Sequence, residues 1–159
     1  MLTKNAAVTL KATLDSVCAF PEVIILDNGS SDETRLLANT YPNVKLFTSP
    51  FIGFGPLRNL AAQFASRDWI LSLDSDEVLS PLLIQEILDL SLNQQTAYAF
   101  PRHNYYNGKQ IRGCGWDPEE IARLYHRSNA RFSERQVHET LISKQFTKLQ
   151  FPLLHTPYR

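Results

Sequence analysis

WILSLDSDE, residues 69–77, decides the reading of this chain: a run that suits a buried strand ends abruptly in two carboxylates one position apart, Asp74 and Asp76. A strand end that presents paired carboxylates is a ready site for a divalent cation. Hard cations take oxygen ligands, and magnesium is usually held by one or two carboxylates plus the phosphate oxygens of a substrate. Alone, the pair is ambiguous, because turns favour Asp and Ser, whose side chains bond to nearby backbone. The flanking sequence has to separate a site from a turn.

The 159 residues suit one domain with a substantial core, and 43% hydrophobic with 20% charged residues is the balance of an ordinary folded protein. Sixteen Lys and Arg cancel sixteen Asp and Glu. No global field therefore recruits nucleic acid or an anionic membrane, and a charged substrate must be met by a local site. Cys18 and Cys114 match no metal or redox spacing and read as reduced thiols of a cytoplasmic protein. No apolar run reaches the length of a membrane span, and the opening MLTKNAAVTL lacks the apolar core of a signal peptide.

The first half alternates strand and helix patterns. Val23–Leu26, Val44–Phe47 and Trp69–Leu73 read as strands. Residues 7–18 place Leu10, Leu14 and Val17 on one helical face, Pro56 opens a helix to Ser66, and Ser80-Pro81 opens another over Leu82–Leu90. Such alternation predicts an α/β sheet with right-handed crossovers, in which ligands bind beyond the carboxyl ends of the strands. Asp27 and Asp74 both fall at those ends, so DNGSSDE (27–33) and DSDE (74–77) are expected to share one crevice. After about residue 95 the texture turns to short β-like pieces: Ala97–Phe100, Lys109–Arg112 behind an Asn107-Gly108 hairpin turn, Ile121–Tyr125, and Thr140–Ile142. One domain with two functional halves, 1–95 and 96–159, is expected.

Strand VIIL with DNGSSDE, then GFGPLRN opening a helix, then WILSLDSDE, resembles the family 2 glycosyltransferases, inverting enzymes of the GT-A fold. FPRHNYYNGKQIRGCGW, ARLYHR and RQVHE in the second half look most like the branch that adds a sugar, typically glucose, to the inner core of lipopolysaccharide. The resemblance implies a Rossmann-like, mostly parallel sheet flanked by helices, with residues 1–95 holding a UDP-sugar donor and 96–159 forming a β-rich acceptor side. Thr3, Lys4 and Asn5 match the loop after the family's first strand, Asp27 the acid that bonds the nucleotide base, and Arg58 and Asn59 a donor-side pair. Asp74 matches the acid near the donor ribose, and Asp76 the acid that holds Mg2+ or Mn2+ on the diphosphate. A dication there neutralises charge on a departing nucleoside diphosphate. His155 matches a late histidine that often completes the metal site.

Read from residue type alone, these positions have plainer roles as well. Asp27 suits a turn or cap, with Asp32 the helix cap; Arg58 suits a solvated helix charge; Gly53 and Gly55 suit loop punctuation. Inverting transfer needs a general base to take the acceptor hydroxyl's proton. Glu119 in GCGWDPEE, where the related branch has Asp, and Glu139 in VHE stand level for that role, and each would equally suit a surface carboxylate. Trp116, Arg123 and His138 are expected on the acceptor side, with Tyr105 and Tyr106 as further sugar-stacking candidates.

Only Met1 and Leu2 precede Thr3 where the family has a full strand, and the family continues past the equivalent of Arg159, so truncation at both ends is expected. A saccharide or lipid-linked acceptor implies a cytoplasmic enzyme, peripheral at the inner membrane face; homo-oligomerisation stays open. Three rivals stand beside this reading. A haloacid dehalogenase-type phosphatase would use Asp74 as nucleophile but leaves DNGSSDE unexplained. A nucleotidyltransferase would usually show a basic, glycine-rich loop near the start. A degenerate nucleotide-sugar-binding domain would bind without transfer.

Overall fold

The computed structural model describes residues 1–112 and 119–156. Trp116, and with it part of the expected sugar-stacking wall, lies outside the described residues. The first half runs β1 (Leu2–Thr3), α1 (Ala7–Ser16), β2 (Val23–Asp27), α2 (Thr34–Ala38), β3 (Val44–Thr48), α3 (Phe54–Gln63), β4 (Trp69–Leu71), β5 (Glu77–Leu79) and α4 (Pro81–Asp89). The second half adds β6 (Thr96–Tyr106), β7 (Lys109–Gln110), β8 (Glu119–His126), β9 (Arg131–Phe132), β10 (Leu141–Ile142), β11 (Gln145–Lys148) and β12 (Leu153–His155).

β1, β2 and β3 form a parallel sheet, as the strand–helix alternation predicts. β4 departs from that pattern. It pairs antiparallel with β8 at the edge of a seven-stranded sheet whose path is β4-β8-β6-β12-β5, with β7 and β11 also on β6. Strands from both halves of the chain thus share one sheet. The two sheets meet at a parallel bridge between Leu2 and Asp74. An apolar cavity of about 380 Å3 lies between β2 and β4, lined by Ile24, Ala61, Ala62, Ile70, Leu71 and Leu90 among others.

One apolar cluster holds the elements together: Leu10 and Leu14 of α1, Ile25 of β2, Leu79, Leu83 of α4, Phe100 of β6 and Leu153 of β12, each at most 2% exposed. Each such side chain withdrawn from water stabilises the fold by about 1.5–3 kcal/mol. The helix starts follow local chemistry. Ser80 accepts the Leu83 amide at 3.2 Å with Pro81 behind it, a cap worth about 1 kcal/mol. Asp32 accepts from the Thr34 amide at 3.0 Å and the Ala7 amide at 3.1 Å, so one side chain serves the first turns of both α2 and α1.

Pro101 interrupts an interior strand without loss. β11 pairs with β6 over Thr96–Ala99 and β12 takes over from Arg102, so the proline falls where one neighbour hands over to the next. The helix expected from Pro56 begins at Phe54, and the strand expected through Leu73 ends at Leu71. Tertiary bonds set the helix start, and the β4–β8 pairing runs one backbone bond past Leu71. The Phe54 and Gly55 amides donate to the Gln136 and Arg135 carbonyls, and the Ser72 amide donates to Arg123 of β8.

Candidate functional site

Asp27 ends β2 with no exposed surface, and its carboxylate is consumed locally. Oδ1 accepts the Gly29 amide at 3.2 Å and the Ser30 amide at 2.9 Å; Oδ2 accepts the Thr3 hydroxyl at 3.1 Å and the Ser30 hydroxyl. Burial would raise this carboxyl, but the bonds from Ser30, Gly29 and Thr3 outweigh it and hold it below the ordinary range. Asn5, with φ of 50°, donates its amide to Ser30 Oγ at 2.9 Å and accepts the Ser31 amide at 2.8 Å. The Thr3–Asn5 and Asp27–Ser31 loops are therefore welded together, and Lys4 projects from them exposed.

Asp74 sits beside this unit through the Leu2 bridge, at the middle of a chain of ion pairs. Arg58, 6% exposed, donates from Nη2 to Asp74 at 2.6 Å, from Nε to Glu139 at 2.7 Å and from Nη1 to the Ser72 hydroxyl at 3.1 Å, and lies 5.3 Å from the Phe132 ring centroid. Arg123 donates to Asp74 at 2.8 Å and to Glu77 at 3.0 Å. Arg102 reaches Glu77 at 3.5 Å and pairs with Glu119. Burial would raise the Asp74 carboxyl, but Arg123 and Arg58 hold it well below the usual carboxylate range. Burial would likewise lower Arg123, yet Glu77 and Asp74 hold it firmly protonated.

Three expectations change. Arg58, expected either on the donor side or as a solvated helix charge, is a buried fork between two carboxylates. Asn59 spends its amide on Phe132, donating to the carbonyl and accepting the amide at 2.9 Å each, so it ties α3 to β9 instead of facing a donor. Arg123 is 6% exposed and points into the ion chain, not to an acceptor surface, in the stretch of β8 from Arg123 to His126 that is buried throughout. His138 is exposed with φ of 55° and stands outside the ion chain among the described residues.

Asp76 stands apart from the arginines. Its Oδ2 lies 3.4 Å from His155 Nε2, and the Asp76 carbonyl accepts the Thr156 amide at 3.1 Å. The other ring nitrogen of His155 is 2.7 Å from Asn104 Oδ1, which fixes the imidazole plane. Among the described residues no cluster of three or more His, Cys, Asp or Glu side chains could alone cage a metal. Asp76 and His155 would leave most coordination positions to substrate oxygens and water, as magnesium sites on phosphorylated substrates do. The two carboxylates expected to serve as base lie at opposite ends of the ion chain. Glu139 has a side chain only 12% exposed and shares Arg58 with Asp74; Glu119 is 56% exposed and touches Arg102.

Gly55 is where α3 docks on the segment that leads to Glu139. A Cβ there would lie 1.8 Å from the Ser133 carbonyl oxygen, and Gly53 takes φ of +107°. Gly55→Ala is expected to destabilise the fold by about 1–3 kcal/mol through forced backbone movement, and to displace the 133–139 segment; a denaturation midpoint equal to wild type would refute the contact's importance. Four residues of the site escaped the sequence reading: Glu77, Arg102, Ser72 and Phe132. Glu77 was visible as the last letter of DSDE, but nothing local marks it as buried.

A parallel sheet with an acidic loop at its strand ends, bridged to an Asp-x-Asp turn and completed by a β-rich second half, is the GT-A class of architecture. Residues 1–147 match the sequence model of Glycosyl transferase family 2, and the chain belongs to that family. It is 31% identical over 138 residues to an uncharacterized glycosyltransferase of Rickettsia typhi, covering 84% of this chain and 47% of that protein. Similarity extends to the lipopolysaccharide core biosynthesis glycosyltransferase LpsC of Rhizobium meliloti (25% over 151 residues; 87% and 54% covered). It extends also to the UDP-Glc:alpha-D-GlcNAc-diphosphoundecaprenol beta-1,3-glucosyltransferase WfgD of Escherichia coli (28% over 124 residues; 74% and 49% covered). The chain spans about half the length of these relatives. Residues 1–349 of S. aureus TarS in complex with UDP-GlcNAc superimpose with a TM-score of 0.68 at 15% identity, covering 99% of this chain and 57% of that one, which establishes the shared fold. Membership in this family removes the phosphatase and nucleotidyltransferase readings.

Proposed function

We propose that this domain transfers a hexose, with inversion, from a UDP-sugar to a saccharide acceptor of the lipopolysaccharide core or a related lipid-linked saccharide. The observation that carries the reading is that the Thr3–Asp27 unit is joined through the Leu2–Asp74 bridge to the turn that carries the Asp76–His155 pair. The names of LpsC and WfgD support the acceptor class and a glucose donor. No helix among the described residues is long and apolar enough to cross a membrane.

Charge supports a cation at Asp76. The ion chain joins three guanidinium groups (Arg58, Arg102, Arg123) to four carboxylates (Asp74, Glu77, Glu119, Glu139), and Asp76 adds a fifth, leaving a formal excess of two negative charges. Magnesium or manganese held by Asp76, His155 and the donor diphosphate would neutralise the charge that develops on the leaving group. The residues of the chain divide the remaining work. The Thr3–Asn5 and Asp27–Ser31 loops form the nucleoside wall, and Asp74, fixed by Arg58 and Arg123, faces the donor ribose and sugar. Glu139 takes the proton of the acceptor hydroxyl as its oxygen bonds to the anomeric carbon from the face opposite the breaking bond to the diphosphate oxygen. Glu139 is preferred to Glu119 because it shares an arginine with Asp74 and so lies in the donor site itself.

Incubation of the chain with UDP-α-glucose, manganese and a core oligosaccharide acceptor, followed by proton NMR, tests this proposal. A β-linked product and stoichiometric UDP are expected. An α-linked product would overturn inversion, and UDP binding with no transfer would leave only a sugar-nucleotide-binding module.

A further inference from the structure

Glu77, like Asp27, is a carboxylate of the site with no exposed surface at all, and nothing in the proposed chemistry uses Glu77. A buried carboxylate is costly unless fully paired, so its retention needs a reason. Its contacts supply one. Oε2 accepts the Asp74 amide at 2.9 Å, and the Glu77 amide donates back to the Asp74 carbonyl at 3.2 Å, so residues 74 and 77 close the Asp74–Ser75–Asp76 turn from both sides. Oε1 takes Arg123 at 3.0 Å and Arg102 at 3.5 Å. Through its backbone, Glu77 pairs in register with His155 across the β5–β12 ladder. One residue therefore touches Asp74 through two bonds, shares Arg123 with it, and sets the register of the histidine opposite Asp76.

We infer that Glu77 is a positioning residue that holds Asp74, Asp76 and His155 in mutual register for the diphosphate and its cation. Charge and reach are both required. Arg123 lies between Asp74 and Glu77, and its Nε has no hydrogen-bond partner among the described residues. Removing the charge of Glu77 leaves Arg123 to draw on Asp74 alone, while shortening the side chain detaches it from the Asp74 amide. Groups that orient a metal's direct ligands typically change metal affinity or activity 10- to 100-fold when mutated.

This inference rests on the donor-site reading given above, and one titration separates the two. Binding of uridine diphosphate is measured by calorimetry across a manganese series, for wild type and Glu77→Gln, with circular dichroism as a check of folding. Glu77→Gln is expected to need about 10-fold or more manganese for half-maximal UDP binding. Wild-type metal dependence in a folded Glu77→Gln protein would overturn the positioning role. Failure of the wild type itself to bind UDP would instead bring down the donor-site reading, and the inference with it. Should Glu77→Gln not fold, Glu77→Asp, which keeps the charge and loses the reach, is titrated in its place. The same rise in manganese requirement is expected there, and an unchanged requirement would refute the role.

Discussion

Arg58→Ala is expected to lower folding stability by about 3–5 kcal/mol, the loss typical when one partner of a buried ion pair is removed and the other charge is left uncompensated. Arg58 meets two carboxylates and a hydroxyl while it is itself buried. Its removal therefore leaves Glu139 without a cation, leaves Asp74 with Arg123 alone, and opens a gap against Phe132. Urea denaturation measures the effect directly. Arg58→Lys should recover only part of the loss, since one ammonium cannot match the three-way fork of a guanidinium. The pH dependence carries the same signature. The folded-state pKa of Asp74 is depressed by Arg123 and Arg58 acting against burial. Its contribution is thus complete above the unfolded carboxylate value and is lost as pH falls through the lower folded value. In Arg58→Ala that acid-side loss of stability should become shallower. A stability change below about 1 kcal/mol, the range of an exposed ion pair, would show that Arg58 is not the structural fork described.

Glu139→Gln is expected to lower the turnover number of transfer by about 10²–10⁴, the usual contribution of a positioned general base, with UDP affinity within a few-fold of wild type. Glutamine preserves the length and an oxygen for Arg58 Nε, so the fold should survive. Glu119→Gln is expected to change turnover only a few-fold, because Glu119 is largely exposed and, among the described residues, its side chain pairs with Arg102 alone. Steady-state assays with both variants decide between the two carboxylates. If the large loss falls on Glu119→Gln, the base lies at the other end of the ion chain.

The fold was legible where local chemistry alone determines structure. Val23–Leu26, Val44–Phe47 and the Ser80-Pro81 helix start announce themselves through apolar runs and capping residues, and the Asn107-Gly108 turn sits where the hairpin signal places it. The antiparallel capture of β4 by β8 was not legible, since nothing within Trp69–Leu71 specifies a partner some fifty residues on. The site divides in the same way. The acids at strand ends could be found because strand and turn patterns locate them. The roles of Arg58, Asn59 and Arg123 could not, because an arginine on a helix looks the same whether it is solvated or forked between Asp74 and Glu139. Glu77 was quoted within the deciding motif, yet its burial depends on Arg102 and Arg123 arriving from β6 and β8.

The central claim is that the Asp-x-Asp turn grips a nucleoside diphosphate through a divalent cation. Titration of the wild-type chain and of Asp76→Ala with uridine diphosphate, with and without manganese, tests it most directly. The account predicts manganese-dependent binding to wild type that falls at least 10-fold in Asp76→Ala while the variant stays folded, since Asp76 stands outside the ion chain. Binding that is indifferent to manganese, or unaltered by Asp76→Ala, would contradict it.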